Sequence, residues 1–261
     1  MCRPFIWFVN FALLVFAGMV CADDANKQRI VIGMGNFEPY FIADKESGLF
    51  TELINAVFVH MPDYKPVYKF GFSNAALWAS YEAARVDAVT NLFDSIAVEG
   101  CRTDPVFLYR DVAITSAINA PSIESVADLA GLSIVTFQGA SKFFGPEFYS
   151  VIRADKYSET EKPELQARML MGGRYDVSVG DLLIFLNARK KLRARPADKD
   201  AEFSIHIHDI FPQIMASMGF REQGLCDAFN AGLKAVKDSG EYTAIYRRYY
   251  KAYDYIPSVN E

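Results

Sequence analysis

The 261-residue chain is poor in the side chains on which nucleophilic and metal chemistry most often rest, with three histidines, four cysteines and two tryptophans. No Cys/His nucleophile pair and no phosphate-binding glycine loop is visible, and low-complexity tracts and Pro/Gly-rich linkers are absent. Basic charge is also scarce: 27 Lys and Arg stand against 32 Asp and Glu, for a net charge of −5, and the only basic cluster is ARKKLRARP from Ala188 to Pro196. Nucleic acid is therefore not an expected partner. Beyond the first 22 residues no apolar run is long enough to cross a bilayer.

Those first residues have a pattern of their own. Met1 to Pro4 carries one positive charge, residues 5–20 are almost wholly apolar, and Val20-Cys21-Ala22 precedes Asp23-Asp24. This is the layout of a secretory signal cut after Ala22, which predicts a periplasmic protein. The apolar run, interrupted by Asn10, falls short of the roughly 20 residues of a retained anchor. Lipidation at Cys21 would need a small residue where bulky Val20 stands. Setting aside residues 1–22 removes Arg3 and no acid, so the net charge becomes −6, and it leaves Cys101 and Cys226. An oxidising compartment allows one disulfide between them. Two buried thiols is the other reading, because sequence does not give the separation of the α-carbons.

Along the remaining chain, strand and helix signals alternate. Arg29-Ile-Val-Ile-Gly-Met34 is a short β-branched run, the stretch 49–58 spaces its apolar residues as a helix face does, and 64–72 again reads as a strand. This order favours largely parallel sheets with helices on their faces. A second round begins at Pro121, where 122–131 reads as a short capped helix and 132–137 as a buried strand. That strand runs into Gln138-Gly139-Ala140-Ser141 at the head of a helix predicted over 142–151 and interrupted at Gly145-Pro146. Backbone N–H groups and a hydroxyl placed there suit an anion or a polar ligand atom; equally, Ser141 caps its own helix. A long amphipathic region is predicted from Cys226 to Tyr250. One phrase occurs twice: AARVDAVTN at Ala83 to Asn91 and GGRYDVSVGD at Gly172 to Asp181, with Asp87 and Asp176 standing 89 positions apart. That spacing is too long for a solenoid and suits two copies of one αβ unit.

Phe37-Glu-Pro-Tyr40, Gly48-Leu-Phe-Thr-Glu-Leu53, AARVDAV, Asp104-Pro105, the QGAS strand end, GGRYDVSVGD and Gly240-Glu-Tyr-Thr-Ala-Ile-Tyr-Arg-Arg-Tyr-Tyr250 follow one another in order. From Arg29 to Tyr250 the chain resembles the bacterial extracellular solute-binding proteins of family 3. The resemblance implies an α/β, two-lobe periplasmic binding protein fold of type II, with a ligand cleft between the lobes and two hinge crossings. Lobe one would comprise 23–110 and 212–261, and lobe two 111–211, with crossings in the extended stretches 109–115 and 207–216. The implied function is capture of a small ligand by lobe closure and delivery to a membrane ABC permease, by a monomer and without a cofactor.

Ligands of open α/β sheets sit beyond the carboxyl ends of strands, so residues after each phrase Asp are site candidates: Asn91 and Asp94 in lobe one, Asp181 in lobe two. Relatives that bind amino acids hold the ligand ammonium with an Asp at the position of Asp181, which would otherwise cap the following helix. Ser141 falls on a hydroxyl position of the family pattern, Phe37 on a stacking aromatic with Tyr40 close behind, and Asn74 is a further candidate contact. The family's carboxylate-binding Arg is missing: Ile96 stands near its place, between Asp94 and Glu99. Arg102 could reach the cleft by another route, though an Arg beside a possible disulfide is more often structural; without the guanidinium, bidentate capture of a carboxylate is lost, and a standard amino acid becomes a weaker expectation than an amine-bearing ligand. Three rival readings stay open. A dehydratase-like enzyme needs paired cations that the sequence does not supply, a sensory protein docking on a membrane receptor has the same sequence features, and His206-Ile-His208 lacks a third metal ligand at a telling spacing.

Overall fold

The computed structural model describes residues 27–119, 121–194 and 204–255. The signal segment and Cys21 lie outside the described residues. Chain order opens with β1 (Gln28–Gly33), whose Ile30 and Ile32 are buried, and α1 (Leu49–Phe58). Gly48 starts that helix at φ 124°, and a Cβ there would meet the Tyr40 carbonyl oxygen at 2.3 Å, so only glycine fits. Then come β2 (Tyr64–Lys69) and α2 (Asn74–Glu82), the latter capped by the Ser73 side chain, which accepts from the Ala76 N–H. β3 (Ala88–Leu92) is buried throughout, and two short strands follow, β4 (Cys101–Arg102) and β5 (Phe107–Tyr109).

The second round begins with β6 (Asp111–Ser116) and β7 (Ile134–Phe137). Between them the expected capped helix is a single 3-10 turn, Val126–Leu129, whose cap is Ser125 and not Ser122. The reason is Asp128, whose carboxylate accepts from the N–H groups of Glu124 and Ser125 and from the Ser125 hydroxyl. The helix predicted over 142–151 is two pieces, α3 (Ala140–Phe143) and α4 (Gly145–Val151), because Gly145 takes φ 78° and Pro146 fits only the first turn of a helix. Next are β8 (Tyr157–Thr160), α5 (Pro163–Met171), β9 (Val177–Asp181), α6 (Leu182–Arg193) and β10 (Ile205–His208). The chain closes with β11 (Ile214–Phe220), α7 (Gln223–Asp238) and α8 (Glu241–Ala252). The amphipathic region predicted from Cys226 to Tyr250 thus breaks at Gly240, which adopts φ 79° between α7 and α8.

Two sheets result. One runs β2-β1-β3-β11-β4 with β5 on β11, the other β10-β6-β9-β7-β8. Each is built on a parallel trio, β2-β1-β3 and β8-β7-β9, and each adds antiparallel strands on the β3 or β9 side. The chain passes from the first sheet to the second between Tyr109 and Asp111, and back between His208 and Ile214. The two passages run side by side, since β5 pairs with β11 before the crossing and β6 pairs with β10 after it.

Lobe one packs Phe50, Phe107, Phe220 and Phe229 between α1, β11 and α7, and the Cys101–Cys226 disulfide fastens α7 to β4 with α-carbons 6.3 Å apart. Lobe two has a smaller core around Ile134, Phe148, Val177 and Val179. Its α6 is shared: Leu182, Phe185 and Leu186 join the lobe-one cluster. Polar contacts hold the same helix to the end of α8, with Lys190 Nζ donating to the Ala252 carbonyl at 2.9 Å and the Tyr253 hydroxyl donating to Asn187 at 3.2 Å. Among the described residues no helix is long and apolar enough to cross a membrane.

Candidate functional site

The two occurrences of the repeated phrase do the same local work. Asp87 stands just before β3, and its carboxylate accepts from the Val31 N–H of β1 at 2.8 Å while its own N–H donates to the Val31 carbonyl at 2.8 Å. Asp176 stands just before β9, accepts from the Ser133 N–H at 2.8 Å and the Ser133 hydroxyl at 2.7 Å, and donates its N–H to the Ser133 carbonyl at 3.0 Å. Each Asp pins the head of one parallel strand to its neighbour. Four residues later both chains take positive φ, Asn91 at 58° and Gly180 at 153°, and one further on they differ: Leu92 in lobe one, Asp181 in lobe two.

A cleft of about 690 Å³ opens between the sheets at these strand ends. Lobe one contributes Phe37, Asn74, Phe93 and Tyr109, and lobe two contributes Asp111, Phe137, Phe143, Gln166 and Asp181. The walls are thus largely aromatic, with amides and three carboxylates, Asp111, Asp181 and Glu161, among them. No Lys, Arg or His is among the described residues that line it.

Asp181 and Asp111 face each other as direct cross-strand partners on β9 and β6. Like charges in that relation repel. Asp181 is well supplied with donors: its Oδ2 accepts from the Tyr40 hydroxyl at 2.8 Å and the Arg110 N–H at 3.1 Å, and its Oδ1 accepts from the Ile184 N–H at 2.9 Å, capping α6. Burial raises its pKa to about 6, against the pull of those donors. Asp111 is 5 % exposed, and among the described residues nothing donates to its carboxylate or pairs with it. Burial, and then the charge of Asp181, push it up to about 8.

The other expected residues differ in their access to the cleft. Phe37 lines the cleft and is 38 % exposed. Tyr40 is buried, stacked on Phe50 with ring centroids 4.3 Å apart, and reaches the site only through its bond to Asp181. Asn74 lines the cleft and accepts from the buried Asn91 amide at 3.1 Å, and the Tyr109 hydroxyl donates to Asn91 at 2.8 Å. Asn91 therefore positions Asn74 and Tyr109 from beneath. Asp94 is exposed and lies outside the lining. Arg102 donates its guanidinium to the carbonyls of Leu92 and Ile96, a structural use. His208 is engaged as well, with Nδ1 donating to the Ile123 carbonyl at 3.2 Å and Nε2 accepting from the Thr115 hydroxyl at 3.0 Å. Among the described residues no group of three His, Cys, Asp or Glu side chains could hold a metal.

Ser141 does not act as the cap expected from the sequence; Gly139 does, at φ 85°. The Ser141 hydroxyl donates to Glu159 at 3.0 Å, and the same carboxylate accepts from the N–H groups of Gly139 at 2.7 Å and Ser141 at 3.1 Å and from the Tyr157 hydroxyl at 2.7 Å. Although desolvation opposes them, these four donors hold Glu159 down to about 2. The strand end that seemed suited to an anion is filled by the protein's own carboxylate. The sequence reading also missed Asp111, Phe93, Tyr109 and Gln166. A signal for Asp111 was present: Arg110-Asp111 interrupts the otherwise apolar run VFLYRDVAI at 106–114. The Arg110 side chain turns from the cleft to Asp209 and the Tyr255 hydroxyl.

No protein-family model matches the chain, and no curated protein matches it in sequence. Solved structures do. A histidine kinase sensor domain with similarity to periplasmic binding proteins aligns at 18 % identity and TM-score 0.64, covering 86 % of this chain and 97 % of its own. The GluR0 ligand-binding core in complex with L-glutamate aligns at 15 % identity and TM-score 0.67, covering 85 % and 98 %. An ancestral arginine-binding protein bound to glutamine aligns at 19 % identity and TM-score 0.61, covering 86 % and 98 %. At such identities the likeness establishes the fold.

Proposed function

Starting from a chain with the fold of the family 3 extracellular solute-binding proteins, we propose that it is a periplasmic solute-binding protein that captures a small amine-bearing ligand between its lobes and delivers it to an ABC importer. The observation that carries this reading is the composition of the cleft: Asp111 and Asp181 converge from lobe two into a space walled by Phe37, Phe93, Tyr109 and Phe137, with no cationic side chain among the described residues lining it. A carboxylate pair inside a partly desolvated cleft gains most from a positively charged guest, by charge-assisted hydrogen bonds to the ammonium. Aromatic faces add cation–π attraction of about 0.5–2 kcal/mol each and exclude water around the charge. The paired crossing strands supply a hinge about which the lobes close.

A thermal-shift panel of amines, amino acids, organic acids and neutral aromatics tests the reading. A ligand at about 100 times its Kd adds roughly 2.7 kcal/mol to the folded state, and stabilisation is expected only from compounds carrying an amine. Hits confined to acids or neutral compounds reject it.

A sensory role has one observation in its favour, the likeness to a histidine kinase sensor domain. Deleting the gene separates the two. Loss of uptake of the labelled ligand supports transport, whereas intact uptake with loss of the ligand-induced transcriptional response supports sensing.

A further inference from the structure

Resting on the amine-binding reading, we propose that the ligand is an organic cation without a carboxylate, an amine or polyamine and not an amino acid, with its charge seated on Asp111. Three independent features of the molecule converge on this.

The first is the state of the donors. The lobe-two strand end offers two N–H groups and a hydroxyl, from Gly139 and Ser141, and all three are spent on Glu159. An incoming carboxylate would have to displace a side chain that Tyr157 also holds. The second is that no cation is among the described residues lining the cleft. The Arg110 side chain is committed to Asp209 and Tyr255, and that of Arg102 to the carbonyls of Leu92 and Ile96. A ligand carboxylate brought in beside Asp111, Asp181 and Glu161 would meet only acids, because no Lys, Arg or His is among the described residues lining the cleft.

The third is Asp111 itself. Asp111 is 5 % exposed, lies directly across the strand pair from another carboxylate and, among the described residues, receives no protein donor, so that its oxygens face only the cleft; a charge held this way costs the empty protein free energy. An ammonium placed between the aromatic walls supplies the missing charge and the missing donors together. Asp181, already satisfied by Tyr40, Arg110 and Ile184, is left as the positioning partner that keeps the cation on Asp111.

Calorimetric titration of the purified protein with three matched pairs tests this, each pair differing only in the α-carboxylate: phenethylamine and phenylalanine, 1,4-diaminobutane and ornithine, agmatine and arginine. In at least one pair the amine is expected to bind tenfold or more tightly than its amino acid. If an amino acid binds as well as or better than its amine in every pair that binds, the inference falls while the amine-binding reading stands. If none of the six binds, both fall. Asp111→Asn is expected to weaken the amine at least tenfold without lowering the stability of the empty protein, and full affinity in that variant overturns the assignment to Asp111. The pair comparison uses the unaltered protein, so it decides the question even if the variant does not fold.

Discussion

The two lobes use one phrase to different ends. In each, an Asp before a buried parallel strand ties that strand to its neighbour, Asp87 to Val31 and Asp176 to Ser133. Five residues on, lobe one places Leu92 in its core and lobe two places Asp181 at the cleft. The repeated residue is thus architectural, and the chemistry sits where the repeat breaks down. Lobe one offers the cleft aromatic rings and amides, whereas both of the buried carboxylates come from lobe two.

The largest effect expected from probing this difference is on lobe one's covalent tie, which has no counterpart among the described residues of lobe two. Replacing Cys101 and Cys226 together by Ala should cost about 2–5 kcal/mol in denaturant unfolding, since the bridge closes a loop spanning 125 positions. An unchanged midpoint would show that α7 and β4 hold without it. Next in size, Asp181→Asn keeps an oxygen to cap α6 but turns an NH2 toward the buried Tyr40 hydroxyl and Arg110 N–H, which lose their acceptor. A loss of roughly 1–3 kcal/mol is expected, together with weaker binding of the amine; a variant with full stability and full affinity would reduce Asp181 to the equal of Leu92.

Asp111→Asn should act in the opposite direction on the empty protein. Because burial raises the folded-state pKa of Asp111 to about 8, the folded state holds a proton that the unfolded chain releases near its ordinary value of 3.8. Stability contributed this way is full below about pH 4 and is lost as pH rises through 8. The variant is therefore expected to gain on the order of 1.4 kcal/mol or more at pH 8 and nothing at pH 4. The titratable and charged groups facing Asp111 are Asp181 from β9, raised by burial to about 6, and Tyr109 from β5, which burial holds well above its ordinary value; Glu161 also lines the cleft. Amine affinity of the unaltered protein should rise over the same interval, as the carboxylate it needs becomes charged; a flat profile from pH 6 to 9 speaks against Asp111 as the seat.

The smallest effects should be the symmetrical ones. Asp87→Asn and Asp176→Asn each remove an exposed strand-head anchor, at about 1 kcal/mol apiece. Asp176 should cost slightly more because it also accepts from the Ser133 hydroxyl. Neither change should alter ligand affinity, and a tenfold loss from either would show that the two phrases are not equivalent.

Much of the architecture was legible because it rests on local rules. The apolar face of α1, the burial of β3 and β9, and the break at Gly145-Pro146 follow from spacing and from two residues with restricted or permissive backbones. The site was less legible. Phe37, Asn74 and Asp181 line the cleft, yet Tyr40, Asn91 and Ser141 serve from behind or to one side, and Asp94 stands apart in solvent. Whether a polar side chain is free for a ligand depends on which donors reach it from distant segments, 141 positions away for Tyr40 and Asp181.

The sequence by itself determined the alternation of strands and helices, the doubling of the αβ unit and the shortage of cations where a carboxylate would be received, because each depends on residue type and spacing along the chain. Only the tertiary structure decided that Glu159 fills the donors at Gly139 and Ser141, that Arg110 turns to Asp209, and that Asp111 faces Asp181 with no partner for its carboxylate among the described residues. Those facts are three-dimensional because a buried charge is defined by what surrounds it, and its surroundings here are assembled from both lobes.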